Sequence, residues 1–492
     1  MYLLGYDIGS SSIKAALVRA DTGAPVAIVQ HPQTEMKIIA VQPGWAEQDP
    51  DTWWDGVCLA TRKLLNQTGV PASEIRGIGI SYQMHGLVLV DEDFRPLRPA
   101  IIWCDSRAVD IGHKAFEAIG PEKCLRHLLN SPGNFTASKL KWVKDEEPET
   151  YRRIHKIMLP GDYIALCLSG EAFTTPSGLS EGIFWDFLKD GVADIVFDHF
   201  GFDPALLPAL TPAVSLQGRL TAEAAGATGL RAGTPVAYRA GDQPNNALSL
   251  NVLQPGEIAA TGGTSGVVYG VVDHPAYDPR SRVNGFAHVN HTRAQPRIGI
   301  LLCINGAGIQ YSWVRQYLGH NQISYADMER QAAAVPTGSD GLRILPFGNG
   351  AERMLENRNP GARIINLQFN RHNAAHIYRA ALEGIAFSFV YGAQVLKNMG
   401  VEVHILRVGN DNLFQSGVFA HTISTLLGCS IEVVDTTGAV GAARAAGVAT
   451  GLYATLEEAV RNTTVLTTYT PRDPADGYET AYLTWRADME NN

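Results

Sequence analysis

Residues 2–19 read YLLGYDIGSSSIKAALVR. Two apolar runs, 2–8 and 12–19, flank a turn of glycine and serine, which is the pattern of a β-hairpin. A similar plan returns in the second half. The runs 257–261 and 265–272 flank Thr261-Gly262-Gly263-Thr264-Ser265-Gly266. Each half thus opens with a strand, a hydroxyl-rich glycine turn and another strand. Two related domains with a site in the cleft between them would account for that echo. Strand and helix signals alternate along the rest of the chain, so the expected class is α/β with mixed sheets. Further strands are expected at 75–80, 86–90, 154–159, 235–238, 298–304, 342–346, 403–408 and 431–434. Helices are expected at 51–68, 160–168, 307–318, 324–334, 373–398, 412–427 and 438–450. In the first of these, Asp51 is the expected N-cap, with Trp54, Val57, Cys58, Leu64 and Leu65 near one face. The stretch 204–235 is rich in Pro, Ala and Gly and interrupts the pattern. The domain change is placed just after it, near 244–252, dividing the chain into 1–245 and 246–492.

Composition narrows the function. A chain of 492 residues is long enough for two to four domains, and 45% apolar content supplies sizeable cores. Its 40 basic and 49 acidic residues leave a formal charge of −9. That balance opposes non-specific contact with nucleic acid or anionic lipid, so neither is an expected partner. Six cysteines stand singly, with no CxxC pair, and read as reduced thiols in a cytoplasmic protein. No apolar run approaches the ~18 residues of a membrane span. The N-terminus carries Asp7 and no leading basic residue, so no signal peptide is expected.

Several short motifs carry chemistry. In Asp7-Ile-Gly9-Ser10-Ser11-Ser12-Ile-Lys14, a Gly-Ser turn points backbone N–H groups and hydroxyls at one spot, a concave anion site. Asp7 beside it could hold Mg²⁺ through water. An ordinary hairpin turn is the alternative, and no GxxxxGK[ST] phosphate loop occurs. Thr264 and Ser265 in the second turn offer the same donors. Asp242, in Ala240-Gly241-Asp242-Gln243, is a carboxylate at a strand end, placed as a general base or, equally, as a helix cap. Gln83, Met84 and His85 leave another strand with groups suited to a polyol. Gly306 and Gln310, and Gly409, Asn410 and Asn412, suit a flat ring lying against backbone, or simple close packing. The run GAVGAARAAGVAT at 438–450 reads as a helix for close helix–sheet packing. Two polar–aromatic clusters, around Trp45 and Glu47 and around Trp103, Asp105 and Arg107, either line a sugar pocket or are half-buried surface.

Taken in order, these motifs resemble the FGGY family of carbohydrate kinases, and within it the xylulokinases. The matching segments are DIGSSSIK (7–14), GWAEQDP (44–50), SYQMHG (81–86), WCDSR (103–107), GDQ (241–243), TGGTSG (261–266), the Gly306–Gln310 helix start and DTTGAVGAARAAG (435–447). One family signature is matched by Thr136–Glu146, departing at Asn134, and another by Ala362–Glu383, departing at Asn366. The resemblance implies two actin-like (ribonuclease H-like) ATPase domains with a cleft between them. It implies ATP- and Mg²⁺-dependent phosphorylation of a sugar hydroxyl, with a ketopentose, D-xylulose first, as the expected acceptor; another ketose or polyol (ribulose, a hexulose), or a non-kinase actin-like ATPase, is the alternative. In that scheme Asp242 is the base, and Gln83, Met84, His85, Trp103 and Gln243 join it in contacting the sugar. Ser10, Ser11, Ser12, Lys14, Thr264, Ser265, Gly306, Gln310, Gly409, Asn410 and Asn412 hold ATP, and Asp7 serves Mg²⁺ through water. Glycerol kinases carry Arg-Glu where Met84-His85 stands here. The family's GGGA adenosine motif is Val408-Gly409-Asn410-Asp411, and Asp242 is followed by Gln243, Pro244, Asn245 and Asn246. A homodimer is the expected assembly.

Overall fold

The computed structural model describes residues 1–319, 321–410, 412–473 and 477–491. The N-terminal sheet contains β1 (Tyr2–Ile8), β2 (Ile13–Arg19), β3 (Pro25–His31), β4 (Ile75–Tyr82) and β5 (Val236–Gly241). Its order is β3-β2-β1-β4-β5. The first three strands form an antiparallel meander, and β4 and β5 run parallel to β1. The C-terminal sheet contains β6 (Glu257–Gly262), β7 (Gly266–Val272), β8 (Asn284–Ala287), β9 (Ile298–Ile304), β10 (Ile405–Gly409), β11 (Ser430–Asp435) and β12 (Thr464–Tyr469). Its inner five, β9-β7-β6-β10-β11, repeat the order and directions of the first sheet, with β8 and β12 added at the edges. The echo of the two opening hairpins is therefore a repeated fold. Strands β3, β8 and β12 escape the sequence pattern. Each lies at an edge of its sheet, and β3 and β12 leave most residues in water, so burial imposes little alternation.

The helices that bear on the site are α1 (Pro50–Thr68), α2 (Thr136–Glu146), α3 (Pro160–Ser169), α4 (Pro176–Glu181) and α5 (Asp242–Ser249). In the second half they are α6 (Gly308–Tyr317), α7 (Tyr325–Ala333), α8 (Ala374–Asn398), α9 (Gly417–Leu427) and α10 (Gly438–Ala449). Helix α1 begins earlier than its pattern implies. Asp49 is the cap, its side chain accepting from the Asp51 N–H, because Pro50 needs no donor partner at the first position. Trp53, not Trp54, is the fully buried tryptophan of that helix. The expected helix at 412–427 is broken by Ser416, which caps α9 after a 3-10 turn at Asn412–Gln415.

Helices α5 and α10 tie the halves together. Although α10 follows the last parallel strand of the C-terminal sheet, it packs on β1, β4 and β2 of the N-terminal one. The contact is close because Gly5 and Gly79 are register partners on β1 and β4. A Cβ at Gly5 would overlap the Ala439 carbonyl, and one at Gly79 the Ala442 carbonyl. Within the pair, Gly441 of α10 abuts Ser249 of α5, and Asn245 Nδ2 donates to the Gly438 carbonyl at 2.9 Å. A second seam is polar. The Asn130 amide exchanges two hydrogen bonds with the Gly285 backbone on β8, while Ser177 donates to the Ala287 carbonyl and Ser180 accepts from its N–H. These side chains satisfy an edge strand that would otherwise present unpaired backbone.

The glycine groove predicts a sharp contrast. Gly79→Ala should lower the free energy of unfolding by about 3 kcal/mol, the upper end for overpacking, since it meets backbone that cannot rotate away. Gly226→Ala, in a helical turn with open space around it, should be neutral or stabilising by up to ~1 kcal/mol. Urea unfolding of both variants measures the difference; equal effects would show that the groove has slack.

Candidate active site

The first turn is built on the β1–β2 hairpin. Gly9 N–H donates to the Ser12 carbonyl at 3.1 Å, and the exposed Ser11 lies at its tip. Asp7 and Lys14 are cross-strand partners, so their side chains share a face. Ser81 Oγ donates to Asp7 Oδ1 at 3.0 Å, and Asp7 Oδ2 lies beside Gly438 at the start of α10. Burial raises the Asp7 carboxyl, partly opposed by Lys14 and Ser81. Gln48 donates to the Ser10 carbonyl at 2.7 Å, and Trp53 Nε1 and Gln83 both donate to its Oε1. One buried amide thus joins the hydroxyl-rich turn to the Gln83–His85 segment. Trp103 is half exposed and donates from Nε1 to Ser10 Oγ at 3.3 Å, which places it beside this turn.

Asp242 opens α5, where β5 ends, within the field of Asp7. Burial, and then the Asp7 charge, push its carboxyl up to about 7, although donation from Gln243 favours the ionised form. Gly241 is required just before it: a Cβ there would lie 2.5 Å from Glu181 Oε2 and 2.6 Å from Met84 Cγ. Met84 is accordingly buried against this turn.

His85 has a left-handed backbone, φ 63°. Three contacts hold it there. Lys139 Nζ donates to its carbonyl at 2.8 Å, its Nδ1–H donates to the Glu181 carbonyl at 2.9 Å, and its ring meets Phe135 edge-on. Phe286, from β8, packs on the same ring with centroids 5.5 Å apart. Burial and the Lys139 charge pull the imidazole down to about 3. It is neutral, and with Nδ1 carrying the proton, Nε2 is an acceptor. Burial also pulls the Lys139 amine down to about 7, against the opposing charge of Asp105.

The tryptophan and arginine motifs prove to be a clamp. Arg107 stacks on Trp45 with 3.8 Å to the ring centroid and 4.7 Å to that of Trp142. Its guanidinium pairs with Asp105 and Glu47, each at 2.7 Å, and Arg98 also binds Glu47. Asp105 accepts from the Ala46 N–H at 2.6 Å. One face of Trp45 is therefore occupied by Arg107.

In the second half a cavity of about 670 Å³ opens beside the Thr261–Gly266 turn. Gly262, Gly263 and Thr264 form one wall. Gly308, Ile309 and Tyr311 of α6 with Tyr325 and Glu329 of α7 form another, and Leu413, Gln415 and Ser416 close it. The two tyrosine rings stack 5.7 Å apart. Its size and mixed lining suit a purine nucleoside. The residues singled out from sequence border it unevenly. Thr264 lines it; Ser265 is exposed in the same turn but is not part of the wall. Gly306 is a packing residue, since its Cβ would overlap the Pro346 carbonyl, and its N–H is bound by Glu352. Gln310 lies just behind, with a buried Oε1 lacking a partner. Gly409 ends β10, and just after it the Asn410 carbonyl accepts from Gln415 at 3.4 Å. Asp411 and the Asn412 side chain lie outside the described residues. Sequence reasoning missed Glu181, the Tyr311–Tyr325 pair and the partnership of Ser81 with Asp7, because each is selected by tertiary placement.

Both halves match known domains: the FGGY family of carbohydrate kinases, N-terminal domain, over residues 2–249, and its C-terminal domain over 258–450. The chain belongs to the FGGY family of carbohydrate kinases. It is similar to an L-xylulose/3-keto-L-gulonate kinase of Escherichia coli (strain K12), 31% identical over 94% of this chain and 91% of that protein. A xylulose kinase of Bacillus subtilis (strain 168) is 28% identical over 93% and 90%. The crystal structure of xylulose kinase from Rhodospirillum rubrum superposes with a TM-score of 0.90 at 26% identity, covering 100% of this chain and 99% of that one. This FGGY protein is therefore a xylulokinase-like carbohydrate kinase that uses ATP as co-substrate. No helix among its described residues is long and apolar enough to cross a membrane.

The raised Asp242 carboxyl makes a stability prediction. The folded state binds this proton more tightly than the unfolded chain, so stability falls as pH rises from about 3.8 through about 7. Asp242→Asn should remove that cost. We expect the variant to be more stable than wild type by about 1–2 kcal/mol at ~pH 8, allowing for partial exposure, and by much less near ~pH 4. Thermal unfolding at both pH values tests it; a gain independent of pH would contradict the assignment.

Proposed function

We propose that this FGGY kinase transfers the γ-phosphoryl group of ATP to a hydroxyl of a ketopentose, with D-xylulose as the first acceptor and Asp242 as general base. The observation that carries this reading is the placement of Asp242. It starts α5, beside Asp7 and the Gln83–His85 segment, with a proton affinity matched to neutral pH. In the proposed reaction the sugar hydroxyl gives its proton to Asp242 as its oxygen bonds to the γ-phosphorus, and ADP leaves. Gln83, neutral His85 through Nε2, and Gln243 orient the sugar's hydroxyls, and Trp103 bounds the same space. Ser10, Ser11, Ser12 and Lys14 from the 1–245 half and Thr264 and Ser265 from the 246–492 half hold the phosphates. The cavity beside Tyr311 and Tyr325 takes the adenosine.

The residues also fit Mg²⁺. Among the described residues no cluster of three or more ligating side chains exists, and Mg²⁺ characteristically binds through one or two carboxylates, waters and substrate phosphates. Asp7, with Oδ2 turned toward Gly438, is the carboxylate that would hold it. When bound, the ion neutralises charge developing on the phosphates.

A sugar acid is a second reading, favoured by Arg353. This guanidinium, from the second half, donates to the Ser281 carbonyl and hydroxyl and lies within electrostatic reach of His85. The relative that phosphorylates both L-xylulose and 3-keto-L-gulonate makes such an acceptor worth testing.

A panel of D-xylulose, L-xylulose, D-ribulose, 3-keto-L-gulonate and glycerol, followed by ADP release, separates these readings. The highest kcat/KM is expected with D-xylulose, and glycerol should be poorer by about 100-fold or more, since each buried polar group left unpaired costs roughly 1–3 kcal/mol. A preference for glycerol would overturn the ketose assignment. Asp242→Asn should reduce kcat by about 10²–10⁴-fold with ATP affinity retained, and near-normal turnover would remove Asp242 from the base role.

A further inference from the structure

Glu181 is the last residue of α4, and its side chain is only 1% exposed. Its Oε1 is buried without a hydrogen-bond partner. Its Oε2 approaches Gly241 so closely that no side chain could stand there, on the residue that leads into Asp242. The same residue's backbone carbonyl holds the His85 ring. Glu181 therefore touches both the turn that presents the base and the histidine that faces the sugar.

The charges around it are unfavourable to a second anion. Asp242 from α5 and Asp162 from α3 face it, and both oppose its ionisation. The Tyr82 hydroxyl from β4 and the His85 backbone N–H favour its ionised form, but burial outweighs them. Arg239 of β5 is committed to Asp162 at 3.0 Å, and Lys139 of α2 donates to the His85 carbonyl. His85 itself is neutral. No cation in this group is bonded to Glu181, so burial holds its proton on.

We propose that Glu181 is a positioning residue for Asp242, an uncharged carboxyl packed under the Gly241–Asp242 turn that adds no further negative charge beside Asp7 and Asp242. A carboxylate at 181 would add negative charge where the triphosphate must approach and would draw water under the turn. The inference rests on Asp242 being the base.

The test compares pH profiles of kcat for wild type, Glu181→Gln, Glu181→Ala and Asp242→Asn, with ATP affinity measured in parallel. Glu181→Ala, which empties the space under the turn, should lower kcat by roughly tenfold or more with ATP affinity kept. Glu181→Gln keeps the shape and cannot ionise. It should recover most of the rate lost in the alanine variant and should lack the alkaline decline expected of wild type. A glutamine variant no better than alanine, or with an alkaline limb coincident with that of wild type, would overturn the role. Substantial turnover in Asp242→Asn would instead refute the base assignment, whatever the Glu181 variants do.

Discussion

The molecule depends on one close contact. Gly5 and Gly79, side by side on parallel strands, let the backbone of α10 sink into the N-terminal sheet. Helix α10 comes from the second half of the chain, so this contact fixes one half against the other. Its first residue, Gly438, arrives beside the Asp7 carboxylate and accepts from Asn245 of α5, the helix that begins with Asp242. The two acidic residues of the site are thus set relative to each other by a packing contact between residues without side chains. Larger residues in the groove would displace α10 and, with it, the geometry of the site.

Electrostatics at this junction follow from burial. Asp7, Asp162, Glu181 and Asp242 are gathered in a small, poorly solvated region. Arg239 is paired with Asp162, and Lys14 stands across from Asp7. Burial raises all four carboxyls, and a proton affinity near neutrality suits the base role proposed for Asp242. Such an arrangement opposes stability at alkaline pH, a common compromise at sites that need a perturbed group.

Around the site, polar residues act mainly through one another. Arg107 stacks on Trp45, also meets Trp142, and holds Glu47 and Asp105, fixing the segment that carries Gln48. Gln48 in turn ties the Ser10 carbonyl to Gln83. Lys139 and Glu181 hold His85 in a left-handed conformation that a histidine adopts only when its surroundings impose it. Losing one partner of a buried ion pair such as Arg107–Asp105 costs roughly 3–5 kcal/mol, so the clamp is as sensitive to substitution as the apolar core.

Much of this was legible in the amino-acid order. The two glycine-hydroxyl hairpins marked the repeated fold, the small-residue run at 438–450 marked a close-packed helix, and the ordered motifs marked the family. These signals survive in sequence because strand alternation, turn chemistry and close approach each restrict residue type locally. Other features were decided only in three dimensions. Trp45 and Arg107 gave no local sign of whether they touch a sugar or each other. Gly306 read like a nucleotide glycine, yet it packs on Pro346, while Gly308 lines the cavity. Glu181 belongs to no site motif, nothing within SYQMHG pairs Ser81 with Asp7, and the neighbours of both are distant in the chain. Their roles arise from long-range burial, which sets the proton affinity and partners of a side chain through atoms that no short stretch of sequence contains.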